Sequence, residues 1–177
     1  RLEVRTTDGE WVPVDGPEPG TRAEAQLREA GDTADVLLVG PGLGFLLDAV
    51  ERAGSATRVV AIEPDPAVAA LLLARRDWRP WFESGRLRLL VGPDYVGASE
   101  AGRIVSGAAR PATLVNPTLA AARSGEIEQA LSVAARISSE AEANLNARQR
   151  FAGRYLLQTL QNIPVIEREA DARSLDG

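Results

Sequence analysis

Residues 35–64 of this chain read DVLLVGPGLGFLLDAVERAGSATRVVAIEP. An apolar run gives way to a glycine-rich turn, then an amphipathic stretch, a second apolar run and an acid. The periodicities predict a strand over residues 36–39, a helix from about Leu43 to Arg52, and a second strand over residues 58–62. Gly40, Gly42 and Gly44 fall where strand becomes helix, and Glu63 stands at the end of the second strand. Glycine at such a turn permits positive φ and close approach of a ligand to the main chain. The start of the following helix offers unpaired N–H groups and the positive end of its dipole.

This order is the first half of a Rossmann-type nucleotide-binding unit, and the flanking sequence extends it. Residues 66–76 predict the next helix, residues 86–91 a third strand and Ala112–Val115 a fourth. Upstream, residues 2–4 and 11–14 flank Thr7-Asp8-Gly9-Glu10, an Asp-Gly hairpin signal. Pro17-Glu18-Pro19-Gly20 breaks the chain, and residues 21–30 read as a helix with Thr21 as N-cap and Glu24 three positions on. Short buried strands alternating with helices imply a parallel sheet with right-handed crossovers. The expected class is therefore α/β: a Rossmann-like parallel sheet with flanking helices, preceded by a small N-terminal β-hairpin and followed by a long C-terminal helix. The expected divisions are residues 1–20 (hairpin), 21–124 (Rossmann-like domain), and 125–177 (long helix and linker).

That long helix is read from Ile127, Leu131, Ala134, Ile137, Ala141, Leu145, Ala152, Leu156 and Leu160, which recur at steps of three and four or their multiples. Asn162-Ile163-Pro164 is its expected stop. Either the helix packs across its own domain, or part of it contacts a following domain or another subunit.

Composition narrows the chemistry. The 177 residues contain no Cys, His, Met or Lys, so all 20 cationic side chains are Arg. Disulfides, cysteine nucleophiles, His-assisted triads, lysine Schiff bases and a P-loop lysine are thereby excluded within this stretch, and a zinc site is not expected. With a net charge of −5 and no basic stripe, no nucleic-acid partner is expected. No run approaches the ~20 apolar residues that span a bilayer, so no membrane partner is expected and the expected location is cytoplasmic. Lacking an initiator Met, the stretch reads as a piece of a longer protein.

Candidate ligand contacts follow from the turn. Glu63 is placed to accept hydrogen bonds from ribose hydroxyls, Asp94 from an adenine amino group, and Tyr95 to stack on the ring. Trp78, Trp81 and Phe82 read either as an aromatic platform or as a cap on the core. Arg75 and Arg76 read either as phosphate contacts or, the favoured reading, as a solvated helix end. Gly40-x-Gly42-x-Gly44, Glu63 and Asp94 resemble the cofactor motifs of class I S-adenosylmethionine-dependent methyltransferases, and that resemblance implies S-adenosylmethionine or a nucleotide as ligand. Two positions depart from it. Leu38 stands where such enzymes commonly carry an acid, and Asn116-Pro117-Thr118-Leu119 lacks the second proline and aromatic residue of the amino-methyltransferase loop.

Over nearly its whole length the chain is similar to the N-terminal region of motility accessory factor proteins, the flagellin nonulosonic-acid glycosyltransferases. The residues that carry this are Gly-Leu-Gly at 42–44, Ile62-Glu63-Pro64-Asp65-Pro66, Asn116-Pro117 and the run RYLLQTLQNIP at 154–164. The resemblance implies a downstream catalytic domain of the same chain, lying beyond Gly177, and flagellin or another protein as acceptor. It also implies a module that is not catalytic alone, with homo-oligomer contacts through the long helix.

Overall fold

The protein, seen in a computed structural model, is described for residues 2–6, 8–31, 35–54, 57–105 and 110–174. Thr7 of the hairpin turn and the side chains of the 155–164 run lie outside the described residues. Strands β1 (Glu3–Arg5) and β2 (Trp11–Pro13) form an antiparallel hairpin with Val4 opposite Val12. There follow α1 (Pro19–Ala30), β3 (Asp35–Val39), α2 (Phe45–Arg52), β4 (Arg58–Glu63), α3 (Pro66–Arg75), α4 (Arg79–Glu83) and β5 (Leu87–Val91). Then come α5 (Ala98–Ile104), β6 (Ala112–Val115), α6 (Pro117–Ala122) and α7 (Ser124–Ser174). Residues Arg1–Glu142 make one compact unit. Ala143–Gly177 make a second, described to Ser174 as helix.

The fold is α/β, with a four-stranded parallel sheet in the order β5-β4-β3-β6. Leu38 pairs with Ala61 on one side and Leu114 on the other. The chain builds outward from β3 through β4 to β5, then crosses back to lay β6 on the opposite side of β3. The order thus reverses between β3 and β6, and the carboxyl ends of those strands are where doubly wound folds form a crevice.

Both faces of the sheet are covered, which is why β3 and β4 read as unbroken apolar runs. Val36, Leu38, Val59 and Ala61 pack with Ala23 of α1, Leu46, Leu47 and Val50 of α2, and Leu72 of α3. Leu37, Val39, Val60 and Ile62 face Leu119 of α6 and Ile127, Ala134 and Ile137 of α7, with Val4 and Val14 from the hairpin region. Fully burying each such aliphatic side chain is worth about 1.5–3 kcal/mol. The alternate residues of each strand thereby hold both layers. Of the expected α7 stripe, Ile127, Ala134, Ile137 and Ala141 are buried within the first unit. Among the described residues, no helix is long and apolar enough to cross a membrane.

Several boundaries differ from the sequence expectation. Helix α1 starts at Pro19, because a proline in the first turn forfeits no intrahelical bond. Thr21 is accordingly inside the helix, and the N-cap is Glu18, whose side chain makes no capping bond. Helix α2 starts at Phe45 because Gly44, with φ 86°, occupies the N-cap. Helix α7 runs through Pro164 to Ser174; an internal proline removes one backbone bond and bends a helix without forbidding the next turn. Helix α5 went unforeseen.

Trp78 and Trp81 are buried, with ring centroids 6.0 Å apart in an edge-to-face contact. Trp78 Nε1 donates to the Leu72 carbonyl at 2.8 Å, and Trp81 Nε1 to Glu51 Oε1 at 3.2 Å. They cap the core beside α3. Of the expected platform, Phe82 is the exposed member.

Gly44 shows how tightly this side closes on the turn. A Cβ there would lie 2.6 Å from Leu72 Cδ1 and 3.2 Å from Trp78 Cζ2, at φ +86°. Gly44→Ala is therefore expected to cost about 2–4 kcal/mol in urea unfolding. Gly54→Ala, at a positive φ with nothing within 4 Å, should cost only about 1 kcal/mol. Equal costs would contradict this packing.

Candidate functional site: the glycine turn at the sheet's switch point

After β3 the Gly40 N–H donates to the Ile62 carbonyl at 2.9 Å, and the chain then turns sharply. Gly40, Gly42 and Gly44 have φ of 65°, 56° and 86°. All three lie in the left-handed region, so a side chain at any of them would be strained. At Gly42 a Cβ would meet Asp15 Oδ1 at 2.7 Å and Asn116 Nδ2 at 2.9 Å. The space that glycine opens there is filled by the protein itself.

Asp15, in the segment leaving the hairpin, reaches across the carboxyl edge of the sheet. Its Oδ2 accepts the Leu43 N–H at 3.0 Å, and its Oδ1 accepts from Asn116 Nδ2 at 3.1 Å. Asn116 follows β6 and serves a second purpose: its Oδ1 accepts the Thr118 and Leu119 N–H groups at 3.0 and 3.3 Å, capping α6. Burial pushes the Asp15 carboxyl up, opposed by the Leu43 and Asn116 bonds and by the charge of Arg75. Arg75 closes the turn from α3. Its Nη1 donates to the Leu43 carbonyl at 2.7 Å, its Nη2 to Asp48 Oδ2 at 2.5 Å, and its guanidinium lies 4.5 Å from the Phe45 ring centre. Arg76 pairs with Glu51 and sits 4.1 Å over Trp78. Arg75 is thus an exposed helix end that is nonetheless paired, and Arg76 is half-buried.

Glu63 points inward. It is 2% exposed, and its Oε1 accepts the Asp65 N–H at 3.0 Å, with the Gly42 amide also pulling on the carboxylate. Its Oε2 is buried without a partner among the described residues. Burial raises the carboxyl to about 7 against the pull of the two N–H donors. Asp65 in turn caps α3 by accepting the Ala67 N–H at 2.8 Å, and pairs with Arg123 at 2.7 Å. Arg123 also donates to the Arg5 carbonyl at 3.2 Å and to Glu126 at 3.1 Å, so β1, α3 and α7 meet on one guanidinium.

The structure thus brings Gly40, Gly42, Gly44 and Glu63 together. Tyr95 is buried in the core with Ala98 and Ala101, and burial, followed by the charges of Glu63 and Glu126, pushes its hydroxyl up. Its ring is packing rather than a stacking surface. Asp94 is exposed. Leu38 faces the α1–α2 side of the core. Sequence reasoning passed over Asp15 as a site residue and took Asn116 as part of an incomplete amino-methyltransferase loop. The one available signal was Val14-Asp15-Gly16-Pro17, an acid on a turn directly after a strand.

A nucleotide or S-adenosylmethionine would need the turn's free amides and an outward acid. Here the Leu43 amide is donated to Asp15 of the same chain, the space at Gly42 is filled by Asp15 and Asn116, and Glu63 is buried. As arranged, these residues do not fit such a ligand.

The chain matches no protein-family model and no curated protein. Among solved structures it is similar to the glycopeptide N-methyltransferase MtfA complexed with sinefungin, at 25% identity and a TM-score of 0.36. The match covers 55% of this chain and 39% of that one, and a likeness this partial carries no argument about activity.

The buried Glu63 makes a pH-dependent prediction. Unfolded, this carboxyl titrates near 4.5; folded, at about 7. The folded state holds the proton more tightly, so this contribution to stability is full below 4.5 and is lost as pH rises through 7. The loss amounts to about 3 kcal/mol at most. Glu63→Gln keeps the Oε1 acceptor and removes the charge. Urea midpoints at about pH 5 and 8 should separate clearly in the parent protein and by less than half as much in the variant. An equal drop in both would place the titration elsewhere.

Proposed function

We propose that this chain is a Rossmann-like scaffold and partner-binding module of a larger transferase, and that it does not perform chemistry on a bound nucleotide. The observation that carries this reading is the occupation of the Leu43 amide by Asp15, beside a buried Glu63. An anion-binding turn works through free N–H groups, and here the Leu43 amide is spent on an internal acid. The burial of Tyr95 and the apolar Leu38 support the same reading. Among larger transferases, the sequence resemblance favours the motility accessory factor type. The module then supports a downstream catalytic domain that modifies flagellin or another protein acceptor in the cytoplasm, with α7 joining it to that domain or to a second copy.

Glu63 at the end of β4 and the glycine turn itself are what an S-adenosylmethionine-dependent methyltransferase would share, and titration separates the two. Calorimetry with S-adenosylhomocysteine at roughly millimolar concentration should give no binding heat. Micromolar binding that disappears in Glu63→Ala would overturn the scaffold reading and establish the methyltransferase.

A further inference from the structure

Between the hairpin region, α1 and α6 lies an open groove of about 480 Å³ whose lining includes none of Gly40, Gly42 and Gly44. Its walls are largely apolar: Val12, Pro13, Pro17, Pro117, Ala121 and Ala122. Two polar side chains face each other across its inner end, Arg22 of α1 and Thr118 of α6. Neither the Arg22 guanidinium nor the Thr118 hydroxyl has a hydrogen-bond or ion-pair partner among the described residues. They converge on Gly16. A Cβ at that position would lie 2.4 Å from Arg22 Nη1 and 2.7 Å from Thr118 Oγ1, so the backbone there must be bare for the two groups to meet. A volume in the few-hundred-Å³ range, apolar walls and a small convergent polar set are the ordinary attributes of a small-molecule site.

We propose that this groove binds a small organic carboxylate. The head lies between the Arg22 guanidinium and the Thr118 hydroxyl above Gly16, and the apolar body lies along Pro13, Pro17, Pro117 and Ala121. Charge selects the head group. Arg22 is the one cation among the groove's lining residues, and Asp15 lines the adjoining recess that shares Gly16, Arg22, Pro117 and Thr118. A single guanidinium balances a monoanion, whereas a dianionic phosphate would bring an unbalanced charge toward Asp15. This inference does not rest on the scaffold reading, because the groove lies outside the glycine turn.

The test is titration of the protein with phenylacetate followed in ¹H–¹⁵N spectra, with acetate, benzyl alcohol and phenyl phosphate as comparators. Shifts confined to Gly16, Arg22, Thr118 and Ala121, with a dissociation constant on the order of 1 mM, are expected for a ligand this small. Acetate and benzyl alcohol should produce none at that concentration. Arg22→Gln should weaken phenylacetate about tenfold or more. Arg22 is exposed and unpaired, so the variant should melt with the parent protein. The proposal is overturned by an absence of shifts at roughly 20 mM phenylacetate, or by equal binding to Arg22→Gln. Tighter binding of phenyl phosphate, or equal binding of either half-ligand, would overturn it too.

Discussion

The hydrogen bond from the Leu43 amide to Asp15 joins the segment leaving the hairpin to the turn at the head of α2. A turn built from three left-handed glycines leaves its amides without helical acceptors, and each buried N–H left unpaired costs about 1–3 kcal/mol. Asp15 answers one of them, and Glu63 instead takes the Asp65 amide just beyond β4. Asn116 holds Asp15 in place while capping α6, and Arg75 fixes the Leu43 carbonyl from α3. Three segments remote in sequence are thereby tied to a turn of five residues. The same bonds that complete the fold close the crevice in which related architectures place a ligand.

The two carboxylates are held on different terms. Asp15 has two donors and an arginine nearby to offset its burial. Glu63 has donors on one oxygen only, and its other oxygen faces the protein interior unpaired. Glu63 therefore retains its proton to near neutrality, while the ionised charge in its neighbourhood is carried by Asp65 and relayed through Arg123 to β1 and α7. Tyr95, packed beside this acid, belongs to the same buried arrangement. A strand-end acid and a neighbouring aromatic, which look like ligand contacts, are here parts of the core.

The fold was legible because its determinants are local. Unbroken apolar runs gave β3 and β4, the Gly40–Gly44 turn marked the strand-to-helix change, and Asp8-Gly9 marked the hairpin, where Gly9 adopts φ 91°. The site was less legible. An acid after a strand has one sequence signature whether it turns inward, as Glu63 does onto the Asp65 amide, or outward. Asp15 and Asn116 lie 101 positions apart, and nothing in either local pattern announces their bond. Trp81 and Arg75 were ambiguous for the same reason, since their partners come from α2 and from the glycine turn.

The central claim is that the chain's own acid occupies the Leu43 amide as a standing part of the native structure. Hydrogen exchange at that single amide tests it most directly. Protection comparable to the amides of β3, near the free energy of global unfolding, is the predicted result. Exchange at the rate of an unprotected turn would mean that the crevice is open to solvent and available to a ligand, and would contradict the account.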